Sequence, residues 1–317
     1  MNKKSFFVFL LIIFLSGCSH VVQENLTSYS SSNGLSINVV ENSLSSEYYE
    51  GENVNIDLQV ENLGNYEVLS DSLFITLSGF NPTSFGKSIT ELSLSNVNNL
   101  SPIFQSNNET LVTGIEYFTF DNLCYQNDIE NPYDLRMKFI SCYPYETTIT
   151  SKVCFGNPKS SMNEICTVNE EKEFSNSIGP IQVTSIVENY IGNNEYRFVI
   201  DFVNSGTGEV IDKNKINDCS NLDSRSTSLL SISSVKLDGT TLLAESLSSN
   251  ILNLELPKDK DSVRILNEEG SISFKIRQDQ NIDYIGELQV TLSHGYKTSF
   301  DKNTIIYDIE GVSGCAE

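Results

Sequence analysis

The chain has 317 residues, no tryptophan and a formal net charge of -22 at pH 7. A surface this acidic repels nucleic-acid phosphates and anionic lipid headgroups, which excludes nucleic acid as a favoured partner. The length suits two domains of ordinary size, each with enough chain to bury a core.

The first eighteen residues have the organisation of a lipoprotein signal peptide. Two lysines precede an apolar run over residues 6–15, which is too short to span a bilayer. The run ends in Leu15-Ser16-Gly17-Cys18, which resembles the lipobox of secreted lipoproteins. That resemblance implies a signal peptide over 1–17 and lipid on Cys18, holding the chain on the extracytoplasmic side of a cell membrane. The alternative is an ordinary signal peptide followed by a chance cysteine.

The segment after the cut site is predicted to be a flexible tether. Cleavage removes two lysines and no acidic residue, so the net charge becomes -24. Residues 19–34 are polar and rich in serine, and such chain buries too little apolar area to offset its ordering entropy. We therefore expect a lipidated spacer over residues 18–34.

From Leu35 onward, the pattern of apolar residues is typical of β-strands. Apolar and polar residues alternate over 53–60, 73–77, 115–120 and 135–139, with turn residues between these runs. A period of two indicates strands with one buried face, and many short strands favour antiparallel sandwiches. The predicted fold class is all-β.

The second half of the chain repeats the first. Residues 56–64 match 198–206, and 143–147 match 294–298 in the same order. Two matched pieces predict one fold used twice, with domains at 35–168 and 181–317 joined by a charged linker at 169–180. Each domain is expected to fold alone. The second domain is predicted to contain eight strands, at 181–187, 195–203, 229–237, 240–245, 250–256, 270–277, 285–294 and 303–309.

Three short features recur in both halves. Each half has an early Tyr-x-Gly turn (Tyr49-Glu50-Gly51 and Tyr190-Ile191-Gly192), a strand that ends in Asn-x-Gly, and a Tyr-x-Thr strand. Together they resemble CARDB-like immunoglobulin-type domains, and the combination with a lipobox resembles uncharacterised archaeal surface lipoproteins. The resemblance implies two tandem immunoglobulin-like sandwiches in a cell-surface setting, and it implies no activity.

Six cysteines remain after Cys18, and an even number in an exported chain predicts disulfides. They are Cys124, Cys142, Cys154, Cys166, Cys219 and Cys315. The domain boundary leaves Cys219–Cys315 as the pairing within the second domain. In the first domain, the repeat maps a turn at 300–303 onto 149–152. Cys142 and Cys154 then do not face each other across a hairpin, which favours Cys124–Cys142 and Cys154–Cys166.

The motifs of common enzyme classes are missing. The sequence has no G-x-S-x-G, H-E-x-x-H or Walker loop, and its histidines are His20 and His294. His294 occupies a strand position that the repeat matches with Tyr143, so we interpret it as structural. The carboxylates Asp279 and Asp283 are a pair that an acidic chain supplies by chance. The protein is predicted not to be an enzyme.

The sequence contains candidate residues for one cofactor and for one modification. Asp218, Asn221 and Asp223 bring hard oxygen ligands together, which makes calcium a weak candidate beside a polar turn without metal. Otherwise no cofactor is expected. Three sequons, at Asn25, Asn99 and Asn108, are candidate glycosylation sites in an exported chain.

Two functions remain open. The first is a non-catalytic cell-surface lipoprotein that acts as a stalk, adhesion or envelope-assembly module, with other envelope proteins or glycans as partners. The second is a lipid-anchored binding protein that captures a small molecule, glycan or peptide. The second function predicts an aromatic cluster at loop tips, supplied by Tyr48 and Tyr49 or by Phe80 and Phe85.

Overall fold

The computed structural model describes residues 33–106, 109–156, 165–244, 254–255, 262–278, 283–310 and 315. The predictions for the leader, Cys18, His20, Asn25 and Asn108 lie outside these residues. Among the helices of the described residues, none is long and apolar enough to cross a membrane. The described chain is all-β, as predicted, and its sheets are mostly antiparallel.

Nineteen strands make up the described fold. The first nine are β1 (Leu35–Val39), β2 (Glu47–Tyr49), β3 (Val54–Asn62), β4 (Phe74–Ser78), β5 (Ser93–Ser95), β6 (Phe104–Ser106), β7 (Glu109–Val112), β8 (Ile115–Leu123) and β9 (Tyr133–Phe155). The others are β10 (Phe174–Asn176), β11 (Ile181–Gly192), β12 (Glu195–Asn204), β13 (Glu209–Ile211), β14 (Leu229–Leu237), β15 (Thr240–Ala244), β16 (Leu254–Glu255), β17 (Ser262–Arg264), β18 (Glu269–Arg277) and β19 (Tyr284–Tyr307). Within the described residues two 3-10 helices, Pro82–Phe85 and Lys213–Asn221, lie between strands, and the second is kinked at Asp218.

The fold is organised around a ribbon made by β9 and β19. Every residue of the 23-residue β9 lies opposite a residue of the antiparallel β19. The pairing runs from Tyr133 opposite Ile306 to Phe155 opposite Tyr284. Along β9 the odd-numbered residues from Leu135 to Phe155 are buried, so one face of the ribbon is covered over almost its whole length. This alternation is what a period of two predicts for a half-buried strand.

Both halves of the chain contribute to one large sheet, and the part of that sheet formed by each half includes a strand from the other half. We call this arrangement the strand exchange. The first half of β9 pairs with β4, and its second half pairs with β10. The first half of β19 pairs with β14, and its end pairs in parallel with β2. The result is one ten-stranded sheet that belongs to both halves of the chain.

Two smaller sheets cover the buried face of the ribbon. One has the strand order β1-β3-β8, and the other has the order β11-β12-β18-β16. Phe139 of β9 packs against Phe120 of β8, and Phe155 at the other end of β9 packs against Phe198 of β12. The two sandwiches therefore share a continuous hydrophobic core.

The ribbon has an internal two-fold relationship. Tyr143 lies opposite Tyr296, Tyr145 lies opposite His294, and Pro144 faces Gly295 between these pairs. The sequence repeat matches Tyr143 with His294 and Tyr145 with Tyr296, so half a turn about the Pro144–Gly295 position exchanges the two pairs. The repeat in the sequence is thus a repeat about an axis through the ribbon.

The Asn-x-Gly motif has the same structure in both halves. Asn62 and Asn204 each accept a hydrogen bond from the glycine amide two residues on, at 3.0 Å and 3.3 Å. Each side-chain amide also donates to the carbonyl four residues on, at 2.7 Å and 2.9 Å. Gly64 has a further reason to lack a side chain, because a Cβ there would lie 1.7 Å from the hydroxyl oxygen of Tyr145.

The structure does not divide cleanly between the predicted domains 35–168 and 181–317, because both contribute strands to one ten-stranded sheet. The turn predicted at 300–303, and its counterpart at 149–152, do not form, because each strand continues straight into the sheet of the other half. The predicted linker 169–180 is not a solvated connector either. It contains β10, which pairs with residues 149–151 of β9. The hairpin predicted at Asp238-Gly239 is confirmed, with positive φ at both residues.

The strand exchange also explains the disulfides. The predicted Cys154–Cys166 pair is confirmed, whereas the predicted Cys219–Cys315 and Cys124–Cys142 pairs are wrong. The observed bonds are Cys124–Cys315 and Cys142–Cys219, both of which join the two halves. Because β19 returns through the sheet of the first half, residue 315 ends beside Cys124. The helix Lys213–Asn221 packs near the ribbon centre, which places Cys219 against Cys142.

We expect the two halves to fail to fold when separated. Residues 33–176 and 177–315 should each lack a cooperative thermal transition, because each fragment exposes one long apolar strand whose partner is on the other fragment. The intact chain serves as the control, and circular dichroism during heating is the measurement. Cooperative melting of either fragment alone would contradict the shared ribbon.

The cross-linked halves lead to a second prediction. Removing Cys142–Cys219, which spans 77 residues, should cost about 4.5 kcal/mol of the free energy of unfolding in the chain-entropy model. The matched control removes Cys154–Cys166, which spans 12 residues, at a cost of about 3 kcal/mol. Denaturant unfolding of the two double-alanine variants compares the costs. Non-reducing peptide mapping should first recover Cys142 linked to Cys219, and a Cys142–Cys124 peptide would refute the pairing.

Candidate functional site

Three carboxylates meet where the ribbon ends. Glu50, Asp128 and Asp308 each place one carboxylate oxygen so that the three oxygens lie within 4.8 Å of one another. Glu50 is buried, with 3% of its surface exposed, whereas the two aspartates are exposed. We call these three residues the acidic cluster.

Three different elements position the acidic cluster. Glu50 follows β2, and its amide donates to the carbonyl of Tyr307 at the end of β19. Asp308 is the next residue of that chain. Asp128 lies on the loop between β8 and β9, where the amide of Ile129 donates to Glu50 Oε1 at 2.7 Å. Strand pairing and one side-chain hydrogen bond therefore bring together residues that are distant in sequence.

The second carboxylate oxygen of Glu50 has no hydrogen-bond partner among the described residues. Oε2 is buried and makes no hydrogen bond there. The ion pairs within the described ranges are Arg136–Asp301, Lys172–Glu170 and Lys172–Glu188, and none of them includes the acidic cluster. A buried carboxylate oxygen without a donor is costly, and two further carboxylates nearby increase that cost.

The Cys124–Cys315 disulfide lies next to the acidic cluster in the chain. Cys124 precedes Asp128 by four residues, and Cys315 follows Asp308 by seven residues. Gln126 of the same loop donates to the sulfur of Cys315 at 3.0 Å. The covalent bond therefore fixes the loop of Asp128 to the chain that leaves Asp308.

Sequence reasoning missed the acidic cluster. In the sequence, Glu50 stands out only as the middle residue of the Tyr-x-Gly turn. No spacing pattern links it to Asp128 and Asp308, which follow it by 78 and 258 residues. The signal would have been the burial of an acidic residue, which appears only once β2 is placed against the end of β19. Local spacing drew attention instead to residues 218–223.

The candidate calcium residues predicted from the sequence belong to a different region. Asp218 and Asn221 are exposed residues of the helix Lys213–Asn221, and Asp223 follows it. Asp223 Oδ1 accepts hydrogen bonds from the amides of Arg225 and Ser226 and from the Ser226 hydroxyl. These bonds lower the pKa of Asp223, with the Ser226 hydroxyl as the largest cause. This geometry favours the alternative interpretation, a polar turn.

Aromatic side chains gather at the same end of the ribbon as the acidic cluster. Phe85 packs edge-on against Phe80 and Tyr125, with ring centres 4.6 Å and 5.3 Å apart. Tyr125 in turn stacks on Tyr133, the first residue of β9. Phe85 is fully buried, so this group is in part a packed support for the 3-10 helix Pro82–Phe85. The other predicted pair is separate, with Tyr48 half-buried and Tyr49 in contact with Tyr307.

His294 lies in the core at the centre of the ribbon. Its side chain is fully buried between Tyr145 and Tyr296, with ring centres 6.2 Å and 6.1 Å away. Burial lowers the pKa of His294 to about 3, so the ring is neutral at pH 7. Neither ring nitrogen has a hydrogen-bond partner within the described chain. This burial in the core supports the interpretation of His294 as a structural residue, which stays a prediction.

A buried ion pair anchors the region that was predicted to be a linker. Glu188 Oε2 lies 3.1 Å from Lys172 Nζ and accepts a hydrogen bond from the Cys154 amide at 2.9 Å. Lys172 also donates to the carbonyl of Thr167. Desolvation raises the pKa of Glu188, the largest effect there, and Lys172 opposes it. The acidic run around residue 170 is therefore tied to β9 and β11.

One predicted glycosylation residue lies in the described chain. Asn99 is exposed, its Oδ1 accepts from the Ser70 amide at 2.9 Å, and its amide nitrogen lies 3.5 Å from Glu67 Oε1. A glycan on this nitrogen would replace the contact with Glu67.

No family model matches the sequence, and no curated protein matches it. Similar solved structures include the envelope protein VP37 of White Spot Syndrome Virus, at 12% identity and a TM-score of 0.25, covering 49% of this chain and 98% of that one. The secreted serine protease VesC of Vibrio cholerae has 11% identity and a TM-score of 0.19, covering 87% and 52%. The Enterococcus faecalis MSCRAMM ACE has 11% identity and a TM-score of 0.14, covering 90% and 99%. At these scores none of them carries an argument about function.

The neutral His294 gives a prediction about acid stability. Its pKa is about 3 in the folded state and about 6.5 when unfolded, so the unfolded state binds the extra proton between these values. Stability from this residue is therefore full above pH 6.5 and is lost as the pH falls, by about 2 kcal/mol at pH 5. His294→Leu should remove that loss. Denaturant unfolding at pH 7.5 and pH 5 measures it, and parallel pH profiles for the two proteins would rule the effect out.

Proposed function

We propose that the protein is a non-catalytic lipoprotein of the cell surface that acts as a stalk, adhesion or envelope-assembly module. The observation that carries the proposal is the ribbon shared by both sandwiches. At about 3.3 Å per residue, a strand of 23 residues has a contour length of about 75 Å. Paired along its whole length and covered on one face, such a ribbon resists bending between the sandwiches far better than a linker does.

The disulfides add to this mechanical role. Two of the three bonds join distant parts of the chain, with separations of 191 and 77 residues. Bonds of this kind persist in oxidising compartments, which agrees with the export that the leader predicts. A cross-linked, exchanged pair of sandwiches suits a protein that holds its shape outside the cell.

The entry point of the tether indicates how the protein would face its partners. The described chain begins at Asn33, whose carbonyl accepts a hydrogen bond from Tyr143 at the ribbon centre, at 2.7 Å. Asn33 Oδ1 accepts from the amide of Thr207 in the other half, at 2.8 Å. A lipid on Cys18 would therefore hold the ribbon by its middle and leave both ends free. This arrangement favours adhesion or envelope assembly over a simple stalk.

The alternative function is a lipid-anchored binding protein for a small molecule, glycan or peptide. One observation favours it, because the aromatic group around Phe85 and Tyr125 lies at the same end of the ribbon as the acidic cluster. Pull-down from intact cells with the mature chain separates the two functions. A specific envelope protein supports the first function, and a co-purified small ligand supports the second. Membership of the CARDB-like family stays a prediction.

Anchoring supplies the direct test of the surface location. Cys18→Ser should release the protein from the membrane fraction into the soluble fraction, since the thiol is the attachment point for the lipid. A single acyl chain binds a membrane only marginally, so stable anchoring implies two or more chains on Cys18. The variant lacks all of them and should show no residual binding. The control is the double variant Cys154→Ser/Cys166→Ser, which removes two cysteines that are bonded to each other and should leave the protein in the membrane fraction. Membrane sedimentation of Cys18→Ser that survives a high-salt wash would exclude Cys18 as the anchor.

A further inference from the structure

We propose that the acidic cluster of Glu50, Asp128 and Asp308 binds one calcium ion, which locks the end of the ribbon to the loop between β8 and β9. This site is separate from the function proposed above and does not depend on it. Two independent observations support it: the close approach of the three carboxylates, and the buried Glu50 oxygen that lacks a partner among the described residues.

The geometry agrees with a calcium coordination sphere. Calcium takes six to eight oxygen ligands at about 2.3–2.6 Å, so two oxygens on one ion lie up to about 5 Å apart. The three carboxylate oxygens lie within 4.8 Å of one another. Magnesium demands near-ideal octahedral geometry, whereas calcium accepts a flexible and irregular set of ligands. The ligands here come from the end of a strand and from two loop positions, and this irregular set favours calcium, with water completing the sphere on the exposed side.

The electrostatics of the cluster point the same way. Three carboxylates this close together repel one another, and a cation between them would remove that repulsion. Glu50 Oε1 accepts the amide of Ile129, so Oε2 is the oxygen that is left for a cation. A divalent ion supplies the missing attraction for all three groups at once.

The ion would join elements that are otherwise held by few bonds. Glu50 follows the three-residue strand β2, Asp128 belongs to a loop, and Asp308 follows β19. The Cys124–Cys315 bond holds the loop and the chain end together, which preorganises two of the three ligands. Extracytoplasmic calcium sites have dissociation constants of about 0.1–1 mM, and we expect this site in that range.

Calcium titration of the chain from residue 18, carrying Cys18→Ser, tests the proposal. Calcium chloride from 0 to 10 mM should raise the Tm relative to a chelator, and equilibrium dialysis should find one bound ion with a dissociation constant of about 0.1–1 mM. Terbium(III) gives a direct readout, because the chain has 14 tyrosines and no tryptophan, and Tyr49 and Tyr307 adjoin two of the ligands. Excitation of tyrosine should produce terbium luminescence that calcium displaces. An unchanged Tm together with the absence of saturable terbium luminescence would overturn the site.

Single-residue variants locate the ion. Asp128→Asn and Asp308→Asn change exposed residues, so both should fold and should weaken calcium binding by about tenfold or more. In chelator their Tm should equal or exceed that of the parent, because one repulsive charge is gone. Glu50→Gln keeps the size of the buried side chain and should abolish the terbium signal.

The control is Asp218→Asn, an exposed acid of the rival cluster, which should bind calcium like the parent. Loss of binding in this control with retention in Asp128→Asn would place the ion at residues 218–223 and refute the proposal. Equal binding by all variants would mean diffuse attraction to an acidic surface, which refutes it as well. A lower Tm for Asp128→Asn in chelator, with unchanged calcium affinity, would show a purely structural role.

Discussion

The pairing of β9 with β19 is the constraint on which the rest of the structure depends. Without this pairing the ten-stranded sheet would split into two sheets, each ending in an unpaired apolar strand, and each smaller sheet would cover only part of a core. The strand exchange also determines the position of residue 307, because β19 runs beside the strands of the first half up to that residue. The two long-range disulfides and the acidic cluster all follow from that path.

The centre of the ribbon shows how the two matched halves of the sequence share one sheet. Tyr145 and Tyr296 are equivalent in the repeat, and the hydroxyl of each donates a hydrogen bond to a group near an Asn-x-Gly turn. Tyr145 donates to the carbonyl of Ile178 at 2.8 Å, and Tyr296 donates to Asn204 Oδ1 at 3.1 Å. Burial raises the pKa of Tyr296 to about 12, so the hydroxyl stays a donor even in alkaline solution. His294 breaks the symmetry, because it stands where the other half has Tyr143.

Local signals in the sequence were sufficient for the elements of the fold. Alternating residues predicted β3, β4, β8 and β12, and Asp238-Gly239 predicted a hairpin, since these features depend on neighbours in the chain. The repeat predicted that Asn62 and Asn204 are equivalent. The strand exchange could not be predicted in the same way. Residues 301–303 are polar and exposed, which is also the pattern of a turn, and only the partner strand shows that the chain continues.

The same reasoning explains which site residues were found and which were missed. Cys154 and Cys166 are close in sequence, so the choice between pairings needed only local geometry. Cys124, Cys142, Cys219 and Cys315 depend on the exchange, and the assumption of separate domains excluded their true partners. The acidic cluster requires the parallel pairing of β2 with the end of β19, for which a three-residue strand gives no sequence signal.

The topology also sets an order of assembly. Pairs such as Leu135 with Thr304 are far apart in the chain, and contacts of such high sequence separation form slowly. During folding the first half must wait for β19, with β9 exposed in the meantime. The Cys154–Cys166 bond closes a short loop and needs no partner from the second half. Cys124–Cys315 needs the chain end in place, so the acidic cluster is completed only when the whole ribbon has formed. Any ion bound there would stabilise the finished fold and none of its precursors.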